Sequence, residues 1–336
     1  MKSSPVKVLP FLILIVLISG CPIIGYKYNH GELPETPVNL EDFNTEYDDY
    51  NSTAPSLGWL IPFCFSTNRN SQGNNFDVIY MPMNVNFNKT TGKLKVTNEY
   101  DNWGIRAEDY GVLVRAVRKI NTAGNEFGPY LYPERDKWTG DSEFILMYAS
   151  DIGGNFDIAY TFDTDSTDFS DSKPVRFLNS EYNDLYPSLD TSLSKVYFCS
   201  DRENGVYNIF HTDISITDQD VASALSDTAL HEIMIDPILS SDYDDKCPFI
   251  FNNTLVFASN RPGGQGGFDL YYSKYEDQQW TAPVNFGEKI NTADDEYRPI
   301  LFDEGVDEAR NMMVFSSNRT GGLGGFDLYF VGVSKD

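Results

Sequence analysis

Two stretches of this chain have the composition of a ligand-binding loop: "FASNRPGGQGGFDLYYSK" at residues 257–274 and "FSSNRTGGLGGFDLYFVG" at residues 315–332. Clustered glycines let backbone N–H groups converge on a phosphate, provided that the loop runs from a strand into a helix whose first turn adds free donors. Here the glycines are followed by Phe268-Asp269-Leu270-Tyr271-Tyr272 and Phe326-Asp327-Leu328-Tyr329-Phe330, which are aromatic and strand-forming. The loop therefore joins strand to strand. Its GGQGG or GGLGG core is expected to supply positive φ angles to a hairpin rather than donors to a phosphate.

Carboxylates are the second chemistry on offer. One acid recurs before an apolar strand in five related segments, as Asp49, Glu126, Asp184, Asp245 and Glu296. Related by a pseudo-symmetry axis, the five would form an acidic ring suited to a cation such as calcium or to a basic partner; alternatively each caps its own turn. A further set, Asp77, Asp157, Asp269 and Asp327, follows the turn and is expected to brace it by accepting N–H groups from the Asn-Arg corner, beside Arg69, Arg202, Arg261 and Arg319. Unit two has Ile152 at the arginine position. The acidic run Asp163–Asp168 lacks the glycine and the distant glutamate of a calcium loop and reads as solvated. His30, His211 and His231 are isolated, and no HExxH, GxSxG or CxxC spacing occurs. The expectation is a chain that is not an enzyme, with glycoside hydrolysis by a carboxylate pair as the alternative.

The elements that carry these residues repeat. Phe65-Ser66-Thr67-Asn68-Arg69 leads to Asn75-Phe76-Asp77, Tyr148-Ala149-Ser150-Asp151 to Asn155-Phe156-Asp157, and Phe198-Cys199-Ser200-Asp201-Arg202 to Val206-Tyr207-Asn208. With the two glycine-rich copies, that makes five units of several short strands each, a pattern that suits the blades of a β-propeller. The fold expected is all-β: a five-bladed propeller of four-stranded blades over residues 36–336. The last unit ends without a fourth strand, while "TPVNLEDFNTEYDD" (36–49) matches "APVNFGEKINTADDEY" (282–297). The N-terminal segment is thus expected to supply the missing outer strand and close the ring, removing exposed sheet edges. Two insertions interrupt the repeat: residues 84–119, with a hairpin tip at Thr91-Gly92, and residues 215–234, whose "DQDVASALSDTALHEIM" is the chain's convincing helical pattern.

The SNRxGGxGGxDLY motif of residues 259–271 and 317–329 resembles the WD40-like propeller repeats of the TolB type. That resemblance implies an envelope protein. Five units instead of the six of the best-known member leave a TolB-like partner without support.

Residues 1–20 read as a lipoprotein signal peptide: Lys2 and Lys7, an apolar run from Val8 to Ile18, then Ile18-Ser19-Gly20-Cys21, which resembles a lipobox. Cys21 is the expected lipidation site, residues 21–35 a tether, and the bacterial outer membrane the expected location, on its periplasmic or surface face. The full chain carries a net charge of −25, and about −27 without Lys2 and Lys7, which argues against nucleic acid as a partner. Cys199 replaces a small residue of the equivalent strands and is expected to be a buried free thiol, while Cys64 and Cys247 lie in other strand segments and spacing does not pair them. The function expected is a non-catalytic protein-binding or envelope-assembly module with envelope protein partners and no resident cofactor; a glycan-binding protein or glycoside hydrolase is the alternative.

Overall fold

The computed structural model describes residues 28, 30–55, 61–98, 111–135, 142–164, 168–216, 221–303 and 305–335. The leader, Cys21 and residues 165–167 of the acidic run lie outside them.

Five antiparallel sheets follow one another as blades of a propeller. From the axis outward, blade one comprises Asp49–Thr53, Ile61–Thr67, Asp77–Asn88 and Lys93–Thr97. Blade two comprises Glu126–Arg135, Ser142–Ser150, Asp157–Phe162 and Lys173–Pro174, and blade three Asp184–Asp190, Lys195–Glu203, Val206–Asp213 and Met234–Ile235. Blade four comprises Asp245–Phe251, Thr254–Ser259, Asp269–Glu276 and Val284–Asn285, with Gln279–Trp280 as an added pair of residues on its third strand. Blade five comprises Glu296–Phe302, Arg310–Ser317, Asp327–Ser334 and, from the other end of the chain, Val38–Asn39. A blade packs neighbours on both faces, so its central strands read as continuous apolar runs, and every residue of Ile61–Thr67 is buried.

Ring closure takes the form expected. Val38 pairs with Phe330 and Asn39 with Tyr329. Asn44 then grips the third strand through both halves of its amide, accepting from Leu328 N–H at 2.8 Å and donating to Leu328 O at 2.9 Å. In blade four Asn291 makes the same two bonds to Leu270, at 2.8 and 3.0 Å. The likeness of 36–49 to 282–297 is therefore the likeness of two outer strands and the turns that follow them.

Each inner strand carries a bulge at its third residue, where Asn51, Gly128, Tyr186, Cys247 and Arg298 all take left-handed φ values of 45–60° and the register to the second strand shifts. The bulge turns the side chains of Asn51, Tyr186 and Arg298 towards the axis. Asn51 Nδ2 lies 3.4 Å from the Tyr186 hydroxyl, the fully buried Arg298 donates to the carbonyls of Pro129 and Pro248, and a Cβ at Gly128 would strike the Tyr186 ring. The centre is filled by side chains and is not an open pore.

The insertions differ in part from expectation. The hairpin with its tip at Thr91-Gly92 forms, pairing Asn88 with Lys93. Among the described residues of 215–234, however, only Val221–Leu225 is helical, while the helix of the other insertion, Gly111–Ile120, buries Leu113, Ala116, Val117 and Ile120. That i, i+3, i+4, i+7 stripe is legible in the sequence and was masked by the strand-forming valines among it. Cys64, Cys199 and Cys247 are free and buried.

Candidate functional site

The five ring acids stand at equivalent positions, each fully buried at the head of its inner strand. Each binds the turn just before it. Backbone N–H groups of Thr45, Thr122, Ser180, Ser241 and Thr292 donate to Asp49, Glu126, Asp184, Asp245 and Glu296 at 2.6–3.2 Å, and the hydroxyls of the same five residues donate as well. The carboxylates thus serve their own turns and do not line a common opening. Among the described residues no three His, Cys, Asp or Glu side chains come together to hold a metal.

The corner arginines belong to these acids, which corrects the expected pairing with the second acid set. Arg69 pairs with Asp49, Arg202 with Asp184 at 2.5 Å, Arg261 with Asp245 at 2.6 Å and Arg319 with Glu296 at 3.0 Å. Each guanidinium also donates to a carbonyl of the preceding outer turn, those of Phe43, Leu178, Leu239 and Ile290. Blade two has no arginine here. Glu126 makes do with Thr122 and Ser150, and burial pushes its carboxyl above the usual range.

Two of the second acid set brace the glycine loop instead, while Asp77 accepts from the Asn70 amide and Asp157 Oδ1 is buried without a hydrogen-bond partner. Asp269 accepts from Gln265 and Gly266 N–H at 2.6 and 3.0 Å, and Asp327 from Leu323 and Gly324 N–H at 2.6 and 2.9 Å. Asparagines of the outer strands, Asn285 and Asn39, complete the two sites. The loop's glycines do more than supply positive φ: a Cβ at Gly266 or Gly324 would collide with the carbonyl of Asp294 or Tyr47 in the next blade. The loop is a corner pressed against its neighbour.

What that corner positions is a ring of side chains on the face where the inner strands begin. The residue before each second-set position, namely Phe76, Phe156, Tyr207, Phe268 and Phe326, has its N–H held by an Asn or Asp of the next blade: Asn125, Asn183, Asp244, Asp295 and Asp48, at 2.8–3.1 Å. Between them stand the second residues of the inner strands, Tyr50, Phe127, Leu185, Lys246 and Tyr297. The contacts run round the axis. Phe156 stacks on Phe127 at 5.2 Å, Phe127 meets Phe76 at 4.9 Å, and Phe76 meets Tyr50 at 6.2 Å. Tyr50 meets Phe326 at 4.9 Å, Phe326 meets Tyr297 at 6.0 Å, and Tyr297 meets Phe268 at 4.5 Å. Lys246 bridges Phe268 and Tyr207, its ammonium 5.2 and 4.0 Å from the two ring centres. Leu185 fills the last gap within the cluster on which Phe156 and Tyr207 pack.

This aromatic annulus is half-buried except for the buried Leu185, and it caps the axial plug of Tyr186 and Arg298. An apolar ring surface edged by polar loops suits a ligand with a flat apolar face. Sequence reading fixed on the acids one residue away. The signal it passed over was the aromatic recurring before each second-set position in all five units.

No protein-family model matches the chain, nor does any curated protein. Solved structures do match its fold. A thermostable family-43 glycoside hydrolase superposes with a TM-score of 0.52 at 10% identity, over 89% of this chain and 94% of that one. A GH62 hydrolase solved with xylotriose gives 0.51 at 9% identity, over 90% and 96%. A GH43_12 protein retrieved from a capybara gut metagenome gives 0.50 at 11% identity, over 89% of this chain and 53% of that one. Two expectations are corrected by this finding. The solved propellers just named are glycoside hydrolases and none is of the TolB type, which overturns the expected non-catalytic assembly role and the expectation that the chain is not an enzyme.

Proposed function

We propose that the chain is a carbohydrate-active propeller that takes a saccharide on the aromatic annulus at its axis. The observation that carries this reading is the annulus itself: eight aromatic rings in continuous contact with Leu185 and Lys246, set at the mouth of a plugged channel. Sugar rings present C–H faces that aromatic surfaces bury. The fold neighbours support the class of ligand, one of them being solved with a xylo-oligosaccharide.

Hydrolysis has one specific observation in its favour. Asp157, next to Phe156, is held above the usual carboxylate range by burial and by the nearby Asp184, and its Oδ1 is buried with no hydrogen-bond partner. A carboxyl that holds its proton more tightly than an ordinary aspartate, beside a sugar platform, has the character of a general acid.

The membrane address is part of the same proposal, supported by the leader's sequence and one structural relation. The inner strands start at the annulus face and run to the opposite one, where Gly31 N–H bonds Val306 O in the loop between the inner and second strands of blade five. A chain lipidated at Cys21 and tethered through residues 22–30 therefore hangs by the face away from the annulus, and the annulus points off the membrane.

The test is calorimetric titration with xylotriose and with arabinobiose, alongside a reducing-sugar assay on the parent polysaccharides. Binding that weakens roughly twofold to tenfold in each of Phe156→Ala and Phe268→Ala supports the annulus. Release of sugar that Asp157→Asn abolishes, with binding retained, adds the hydrolytic reading. A folded protein that neither binds these saccharides nor releases sugar overturns the proposal.

A further inference from the structure

The chain carries 50 acidic and 25 basic residues, yet one cavity gathers cations. It lies between blades four and five, on the side to which the N-terminal strap returns, with a volume of about 410 Å³. Lys274, Lys289 and Arg310 line it, and Tyr272 and Phe286, 5.0 Å apart, form part of its wall. That volume is in the range of small-ligand pockets. It is remote from the annulus, and its three cations are not the corner arginines that hold the ring acids.

One carboxylate already sits among these cations. Glu35, on the strap, reaches Lys289 at 3.2 Å and Arg310 at 2.7 Å, and the two cations hold its carboxyl below the usual range. It is 59% exposed, so the strap presents it from the solvent side. The other acid near Arg310 is Asp307, at 3.9 Å, which is buried and accepts Leu33 N–H. Lys274 reaches a main-chain carbonyl, that of Lys335, at 3.4 Å, and no carboxylate of the described residues pairs with it. The cavity therefore holds more cation than the chain supplies anion for, beside an aromatic wall.

We infer that this cavity is a second binding site, for a small carboxylated ligand of sugar-acid size. The ligand's carboxylate displaces Glu35 from between Lys289 and Arg310, Lys274 adds a third cation, and its apolar face lies on Tyr272 and Phe286. Glu35 acts as the built-in competitor. No bond is made or broken; the exchange is one carboxylate for another.

Titration of the full-length chain with glucuronate, and with glucose as the neutral match of the same size, tests the inference. Glucuronate binds and glucose does not, and rising salt weakens the binding because the cations are partly solvated. Glu35→Gln tightens glucuronate binding roughly threefold to tenfold by removing the competitor, and Lys274→Met weakens it by a similar factor, as partly exposed ion pairs of ordinary strength do. Glu35 is exposed and Lys274 half-buried, and an unchanged melting temperature shows that the variants are folded. No glucuronate binding, equal binding of glucose, or indifference to both substitutions overturns the inference. Xylotriose binding at the annulus is untouched by Lys274→Met, which keeps the two sites' outcomes separate.

Discussion

Blade two is a natural experiment in removing one ion pair, and Ile152→Arg reverses it. In the four other blades the corner arginine reaches the ring acid, a carbonyl of the preceding turn and the hydroxyl of Thr67, Ser200, Ser259 or Ser317. All three partners stand ready in blade two: Glu126, the carbonyl of Ile120 and the hydroxyl of Ser150, which already bonds Glu126 at 2.9 Å. Ile152 is 62% exposed, so little packing is lost on replacement. Two hydrogen bonds from a charged donor contribute roughly 1.5–3 kcal/mol each, and ordering and desolvating the new side chain offsets about 2–4 kcal/mol. The net gain is about 1–2 kcal/mol. With an unfolding entropy of roughly 2.1 cal/mol/K per residue over about 300 ordered residues, the melting temperature rises by roughly 2–3 °C.

The pH dependence identifies the cause. Burial holds the Glu126 carboxyl above its ordinary value of 4.5, so the native protein loses stability as pH climbs from 4.5 through the raised value and the buried carboxyl must ionise. A new arginine favours the ionised form. Its benefit is therefore smallest at about pH 4 and full above the native titration. Glu296 shows that the cation moderates and does not abolish the effect, being held up by burial even beside Arg319. Scanning calorimetry of native and variant protein across pH 4 to 8 checks this, and a gain of equal size at both ends, or none at about pH 8, refutes the bracket as the source of stability.

Replacing Asp327 with Ala strands three donors, Leu323 N–H, Gly324 N–H and the Asn39 amide, and urea unfolding should show a loss of about 2–4 kcal/mol. Deleting residues 1–32 keeps the buried Leu33 and the outer strand Val38–Asn39, so melting should change little; deleting 1–44 also removes the Asn44 clamp on Leu328, and light scattering should report aggregation through the opened edge. Cys21→Ser should abolish incorporation of labelled palmitate in the native host, and labelling that persists rules out the lipobox.

Much of the architecture was legible because a propeller writes its fold five times. The repeat gave blade number, strand order and the turn corners, and the duplicate of 282–297 at 36–49 gave closure, since a missing outer strand leaves a single place for that segment to go. The roles of individual polar residues were less accessible. From spacing alone, Arg319 is as near to Asp327 as to Glu296, and the choice between them depends on which side of the blade each side chain leaves, a matter of bulge and twist. The helix Gly111–Ile120 was hidden for a related reason, valine being at home in either structure until something packs against it.

What the sequence determined by itself is the repeat, its closure and the acidic charge, because each is a local pattern or a sum over residues. The tertiary structure decided which residues meet. Five acids that looked like a site are buried in their own turns, while ten residues one position away from the expected chemistry converge on the axis. Convergence of that kind arises only when blades close into a ring, and no stretch of sequence contains the angle between one blade and the next.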